Sequence, residues 1–353
     1  MHKQYWSFRL RKIKVLVVDD SELIRQLLTE IISSSDDMEV VATAEHPLDA
    51  REKIKQFNPD VLTLDIEMPK MDGITFLRNL MRLRPMPVVM ISTLTQKGAP
   101  ATLDALAIGA VDYVAKPQGN AWDSLNSYAA VIQEKVRNAA SANLSAHEKI
   151  LESKPLDIAH RQYDTRKVIV MGSSTGGTEA IRDVLQSIPD NAPPILLAQH
   201  IPAAFSASLA LRLDSKSKVK VQEASTGMKL EPGHAYLAPG DFHLEVKERG
   251  GYLVTFLNDS EKVNGHKPSV DVLFDSVVKC VGKHAVGVIL TGMGNDGAQG
   301  LKNILDAGGA TFAQDEATSV VWGMPGSAVR LNAAQKILPI QNIARVLLDA
   351  CIK

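Results

Sequence analysis

"VIVMGSSTGGTEAI", Val168–Ile181, decides how the larger part of this 353-residue chain is read. An apolar run of strand length gives way to glycines and hydroxyls, which pass into a segment with apolar residues at helical spacing. A strand that turns directly into a helix is the repeating unit of an α/β fold. The small-residue turn between them has three possible uses. A phosphate cradle asks for G-x-x-x-x-G-K-[ST]; Gly172 and Gly177 have that separation, but Thr178 stands where the lysine belongs. A dinucleotide fingerprint, G-x-G-x-x-G, occurs elsewhere, in "GMGNDG", Gly292–Gly297, with Asp315 about 20 residues on. There Asp296 falls inside the loop and would repel a pyrophosphate. The third use is a nucleophile elbow, since Gly172, Ser174 and Gly176 fit G-x-S-x-G on a strand-to-helix turn.

A serine nucleophile needs a base, and the base needs an orienting carboxylate. His200 ends "PPILLAQH", the next strand, and Asp296 follows "AVGVILTGMGN". Parallel strands would deliver Ser174, His200 and Asp296 to one rim, so the acid that spoils the dinucleotide loop completes a triad. Thr175, the residue after the nucleophile, is the expected first oxyanion donor. The chain order Ser…His…Asp differs from that of α/β-hydrolases, which disfavours a lipase-like fold. His234, His243, His266 and His284 are read as structural, and Ser173, at the x position, as facing away.

Further strands are expected at "HAYLAP", "HLEVKE", "YLVTFLN" and "ATFAQD", with Gly250-Gly251 joining the middle pair as a hairpin. Upstream, "KVLVV", "EVVATA", "DVLTL", "PVVMIS" and "VDYVAK" alternate with amphipathic segments such as "SELIRQLLTEIISS". Five strands each followed by a helix predict a doubly wound, flavodoxin-like parallel sheet. The chain is therefore expected to comprise a lead-in (1–12), a first domain (13–138), an Ala- and Ser-rich linker (139–165) and a second, mostly parallel α/β domain with a hairpin (166–353).

In an open parallel sheet, function gathers beyond the carboxyl ends of the strands. Asp19 and Asp20 follow the first strand there, Asp65 the third, Ser92 the fourth and Lys116 the fifth. Two carboxylates about 4 Å apart repel by roughly 4 kcal/mol at an effective dielectric of 20, so three are tolerable only beside a cation. An all-oxygen donor set suits Mg²⁺. The lysine and hydroxyl suit phosphoryl oxygens, with Asp65 the natural acceptor. Asp60 and Asp72 lack this placement and are read as solvated.

Composition is that of a soluble globular protein, 45% hydrophobic and 22% charged. A net charge of -1 gives no field for nucleic acid or anionic membrane. No apolar run approaches the roughly 18 residues of a membrane span. Cys280 and Cys351 lack metal or CxxC spacing and are expected to be buried, reduced thiols in a cytoplasmic protein.

"VLVVDDS", "LTLDIEMPKMDG", "VVMIST" and "DYVAKP" resemble a response-regulator receiver domain over roughly residues 12–138. That resemblance implies phosphorylation of Asp65, Mg²⁺ held by Asp19, Asp20 and Asp65, and phosphoryl sensing by Ser92, Tyr113 and Lys116. "GSSTGGTEAI", "QHIP", "HKPSVDVLF", "LTGMGNDGAQGL" and "VWGMP" resemble the catalytic domain of the chemotaxis protein-glutamate methylesterases over about residues 166–350. This second resemblance implies Ser174, His200 and Asp296 as the triad and Thr175 and Met293 on the oxyanion side. It further implies hydrolysis of glutamyl methyl esters and deamidation of glutamines on the cytoplasmic helices of chemoreceptors. A chemotaxis histidine kinase would be the phosphodonor, and the catalytic domain would need no cofactor. Ser173 departs from the alanine common in the family. From the domain order, the unmodified receiver is expected to cover the catalytic rim until phosphorylated. The alternative is a receiver fused to a non-enzymatic binding module.

Overall fold

The structure, a computed structural model, describes residues 11–68, 71–92, 98–116, 125–146 and 161–353. Nearly all of the lead-in and residues 147–160 of the expected linker lie outside the described residues. The chain divides into two compact units.

The first is built on β1 (Ile13–Val18), α1 (Glu22–Ser33), β2 (Met38–Ala44), α2 (Pro47–Phe57), β3 (Val61–Asp65), α3 (Gly73–Leu83), β4 (Val88–Ser92), β5 (Asp112–Ala115) and α5 (Leu125–Ala140); α4 (Ala99–Ile108) lies between β4 and β5 in the chain, and all but its last residue is grouped with the second unit. The strands pair in the order β2-β1-β3-β4-β5, all parallel. Both faces carry helices, so β3 and β4 are buried at every residue and read as continuous apolar runs rather than alternations. Ser21 caps α1 by accepting from Ile24 N. Asp72, expected to be solvated, instead caps α3, its carboxylate accepting from Thr75 N at 2.7 Å. Asp60 likewise has structural partners, the backbone N of Lys14 and the Arg11 guanidinium, both at 2.9 Å.

The second unit runs β6 (Val168–Ser173), α6 (Gly177–Gln186), β7 (Ile195–Gln199), α7 (Ala203–Asp214), β8 (Lys220–Glu223), β9 (His234–Leu237), β10 (His243–Arg249), β11 (Tyr252–Asn258), α8 (Val270–Val281), β12 (Ala285–Ile289), α9 (Ala298–Asp306), β13 (Ala310–Gln314), α10 (Met324–Arg330), β14 (Lys336–Leu338) and α11 (Ile340–Asp349). Seven strands form one parallel sheet in the order β14-β13-β12-β6-β7-β9-β8. β10 and β11 form a separate antiparallel pair, closing at Gly250 and Gly251 with φ of 60° and 78°. Two positive φ values in succession make the tight turn that matches strand twist. The inner face of this hairpin, Leu244 and Val246, shares a core with Val270, Leu273, Phe274 and Val277 of α8.

Two strands were not expected, β8 and β14. Both lie at sheet edges, and they bury only Val221 between them, so neither shows an apolar run. The second unit also reaches further back than expected. Tyr163 is buried and bridges Ile352, and Asp164 N donates to Cys351 O at 2.8 Å. Both cysteines are free; Cys351 is buried, its thiol pushed up to about 12 by that burial, whereas Cys280 is only half-buried against Val246 O.

The strand order of each sheet reverses at one place, between β1 and β3 in the first and between β6 and β12 in the second. A crevice opens at such a switch point, beyond the carboxyl ends of the strands.

Candidate active site

β6 carries the chain to the centre of the second sheet and releases it at Ser174, which is partly exposed. Gly176 turns the chain into α6 with φ of 76°, a conformation that disfavours any side chain. No side chain caps this helix start, which leaves its partial positive charge beside Ser174. On the other flank the loop after β12 lies against the serine. A Cβ built on Gly292 would sit 2.8 Å from both the Cβ and the backbone N of Ser174. Ser174 N donates to Thr291 O at 3.1 Å, and the Thr291 hydroxyl donates to Thr175 O at 3.0 Å. Thr175 follows Ser174 directly, and the partly buried Met293 follows Gly292, whose backbone lies against the serine.

β6 and β7 pair in parallel through Ser173 and Gln199, and His200 N donates to Ser173 O at 3.1 Å. Ser174 and His200 are thus one residue past a paired position on neighbouring strands, whose backbones run about 4.8 Å apart. Gln199 ties the two together: its Nε2 donates to Ser174 O at 2.9 Å and to His200 O at 3.1 Å. Ser173 is fully buried, and its hydroxyl donates to Gln199 Oε1 at 2.6 Å. It faces away from the rim and completes this clamp.

His200 Nε2 lies 2.8 Å from Asp296 Oδ2. A carboxylate only accepts, so Nε2 carries the proton, and Nδ1 of the neutral ring is a bare acceptor. Nδ1 is buried without a hydrogen-bond partner among the described residues, so Ser174 does not reach it in this resting geometry. Such contacts often tighten only around substrate. The imidazole is used in the sense opposite to the familiar one. Serine and histidine stand side by side on adjacent strands, and the nitrogen nearer the backbone is the one left unoccupied.

Asp296 is 1% exposed and receives four further hydrogen bonds. Val270 N donates to Oδ2 at 2.7 Å; Ser269 Oγ, Asn264 Nδ2 and Asp271 N donate to Oδ1 at 2.8, 2.9 and 3.3 Å. The carboxylate therefore sits on the N-terminus of α8, where helix partial charge favours an anion. Burial works to raise its pKa, but the His200 hydrogen bond, that ring's charge, Asn264 and Val270 N–H together hold it well below the usual carboxylate range. It is an anion at every working pH, able to fix the imidazole and stabilise its protonated form. The same orientation turns the carboxylate of the "GMGNDG" loop toward His200 and α8.

Sequence reasoning missed the supports. Ser269 is both the N-cap of α8 and a donor to Asp296; its signal was a serine directly before "VDVLF". Asn264 announced itself only as an Asn-Gly turn. His266, expected to be structural, stacks on the His200 ring with centroids 3.6 Å apart and planes 10° from parallel. His243 is structural as expected, buried between Glu261 O and Ser269 N.

The first unit has its own polar focus. Asp19 and Asp65 are buried and Asp20 is exposed, and one oxygen from each lies within 4.8 Å of the others. Lys116 Nζ stands 3.0 Å from Asp19 and 2.8 Å from Asp65. One ammonium against three carboxylates leaves excess negative charge. Burial is the main cause that raises Asp65 to about 6, with Asp19 adding to it and Lys116 opposing it. An all-oxygen set with its innermost member, Asp65, held above its ordinary pKa fits a hard divalent cation. Ser92 ends β4 and is buried, with Lys116 N donating to its carbonyl at 2.7 Å. Tyr113 is buried on β5, its hydroxyl pushed well above the ordinary range by that burial.

Comparison with known proteins matches both parts of the chain to known families. Residues 169–347 match the family described as CheB methylesterase, and residues 15–122 match the response regulator receiver domain. A protein-glutamate methylesterase/protein-glutamine glutaminase of Saccharophagus degradans is 53% identical, the match covering 98% of this chain and 100% of that protein. The protein of the same name from Salmonella typhimurium is 50% identical over 96% of this chain and 97% of its own length. The crystal structure of the Thermotoga maritima CheB methylesterase catalytic domain is 41% identical, with a TM-score of 0.51, covering 52% of this chain and 97% of that one. Among the described residues no helix is long and apolar enough to cross a membrane.

Proposed function

The chain belongs to the CheB methylesterase family, and from that premise we propose that it is a phosphorylation-controlled serine hydrolase of chemoreceptors. It demethylates glutamate γ-methyl esters and deamidates particular glutamines on their cytoplasmic helices. The observation that carries this is the 2.8 Å contact from His200 Nε2 to Asp296, which leaves Nδ1 bare on the strand beside Ser174.

His200 Nδ1 takes the Ser174 proton as Oγ attacks the γ-carbonyl carbon. The developing oxyanion lies toward Thr175 and Met293, beside the start of α6. The imidazolium, stabilised by Asp296, then protonates the departing methanol or ammonia. Water, deprotonated by the same Nδ1, resolves the acyl-enzyme and releases the free glutamate. Ester and amide differ only in the leaving group, so one site serves both. In the receiver, Asp19, Asp20 and Asp65 would hold Mg²⁺, and the ion would offset phosphoryl charge. Lys116 and Ser92 stand ready for phosphoryl oxygens, and a chemotaxis histidine kinase is the donor.

Ser174→Ala tests the assignment through methanol release from methylated receptor membranes. Turnover should fall by roughly 10⁶-fold. Near-normal activity in that variant would remove Ser174 as the nucleophile.

A further inference from the structure

We infer that the four-residue turn Val263–His266 is a positioning device for the acid and base of this site, Asn264 acting on Asp296 and His266 on His200. The inference rests on the esterase function proposed above. Val263 N donates to His266 O at 3.1 Å and His266 N to Val263 O at 2.9 Å, closing a two-residue hairpin. Its central residues, Asn264 and Gly265, have φ of 53° and 79°, the left-handed pair that Asn-Gly adopts most readily. The turn is therefore stiff, and the side chains of central Asn264 and flanking His266 leave it in fixed directions.

Asn264 Nδ2 is shared between Asp271 Oδ2 at 2.7 Å and Asp296 Oδ1 at 2.9 Å. It engages the oxygen of Asp296 that His200 does not use. His266 supplies what a hydrogen bond to the imidazole edge cannot. A ring held by its Cβ–Cγ bond and by one hydrogen bond at Nε2 can still rock about Cβ–Cγ, which moves Nδ1. A second ring 3.6 Å from its face and 10° from parallel blocks that rocking. One short turn thus fixes the acid by an edge contact and the base by a face contact. The face of His266, not its protons, does this, so another flat ring should serve.

The test uses the full-length chain and compares Asn264→Gly, His266→Ala, His266→Phe and Ser174→Ala by kcat and KM for methanol release. Glycine at 264 keeps the positive φ and removes only the amide. Expected losses in kcat are roughly tenfold for Asn264→Gly, from one charge-assisted hydrogen bond, and roughly 10–100-fold for His266→Ala, from a misplaced base. KM should stay within about twofold in both, since neither residue binds substrate. His266→Phe should recover kcat to within about threefold of the parent, because stacking depends on the ring face. Equal losses in His266→Phe and His266→Ala would overturn the stacking role. A rise in KM at constant kcat would replace positioning with substrate contact, and parental kcat in Asn264→Gly and His266→Ala would end the inference. Ser174→Ala separates the two levels: if it stays active the esterase function fails, and if it alone is dead only the turn's role fails.

Discussion

Asp296→Asn puts the greatest demand on the geometry of the site. The carboxylate accepts five hydrogen bonds, with His200 and Val270 N on Oδ2 and Ser269, Asn264 and Asp271 N on Oδ1. An amide offers one oxygen and one NH₂. The oxygen is best placed toward the three donors on the Oδ1 side, which turns the NH₂ to His200 Nε2 and Val270 N–H. To meet a donor, Nε2 must lose its proton, and the neutral ring then carries its proton on Nδ1. That is the atom that should receive the serine proton, so the base is blocked while every residue around it stays in place. A tautomer inversion of this kind is worth about 10⁴-fold in kcat in the serine protease where it is documented, or about 5.5 kcal/mol of barrier. Because Asp296 is 1% exposed, KM should not move. The stranded Val270 N–H adds a stability loss of about 1–3 kcal/mol, visible as a lower Tm of a protein that still folds. Methanol release and a melting curve on one preparation measure both effects. A variant that folds and retains kcat to within tenfold would show that Asp296 does not set the His200 tautomer.

Other substitutions probe separate contacts. Asp65, raised to about 6 from 3.8 mainly by burial, binds its proton more tightly folded than unfolded. Metal-free stability should therefore fall as pH rises from about 4 to 6 and level off above, by about 2–3 kcal/mol. Chemical denaturation in a chelator should show that fall, with Mg²⁺ or Asp65→Asn reducing it; a flat profile in the chelated parent would contradict the electrostatics of the acid cluster. Gly172→Ala puts a Cβ 2.2 Å from Val270 Cγ1 and should destabilise by about 1–3 kcal/mol through overpacking. Since Val270 N holds Asp296, kcat should fall as well, and a variant with unchanged Tm and kcat would show that α8 can shift freely. Ser173→Ala leaves the buried Gln199 Oε1 without its 2.6 Å donor. The expected loss is about 1–2 kcal/mol of stability with kcat nearly unchanged, as the hydroxyl faces away from the rim; a large drop in kcat would give Ser173 a part in the chemistry.

Both parallel sheets were legible because their central strands, such as "VLTLD" and "ILLAQ", are buried throughout and mostly apolar, and because helices follow with caps or glycines in place. Ser174, His200 and Asp296 were legible for a topological reason: each directly follows a strand or its short exit loop, and parallel strands end on one edge. β8 and β14 were hidden because an edge strand buries little and needs no pattern. The supports were harder still. Asn264, His266 and Ser269 stand on a loop whose path is set by contacts with Asp296 and His200, and no periodicity marks a loop residue that must meet a partner 32 or 66 positions away. Only their local chemistry could be read: an Asn-Gly dipeptide as a turn, a serine before a helix as a cap.

The two buried aspartates at the sheet edges show how one location can serve opposite ends. Asp65 and Asp296 both lie beyond a central strand at a switch point, 2% and 1% exposed, so each bears a desolvation penalty. Asp296 meets it with five donors, one of them the first N–H of a helix, and becomes a fixed anion. Asp65 meets it with one lysine shared with a second carboxylate and one backbone N–H, that of Glu67, and is left near 6. The first arrangement suits a group whose charge must never change while a neighbouring imidazole cycles between states. The second leaves the carboxylate poorly compensated, so a cation and then a covalent modification find it energetically receptive. Exchanging the surroundings would ruin both: an Asp65 satisfied by five N–H and O–H groups would be too stable an anion to attack phosphorus, and an Asp296 near 6 would surrender its charge within the range where His200 must work.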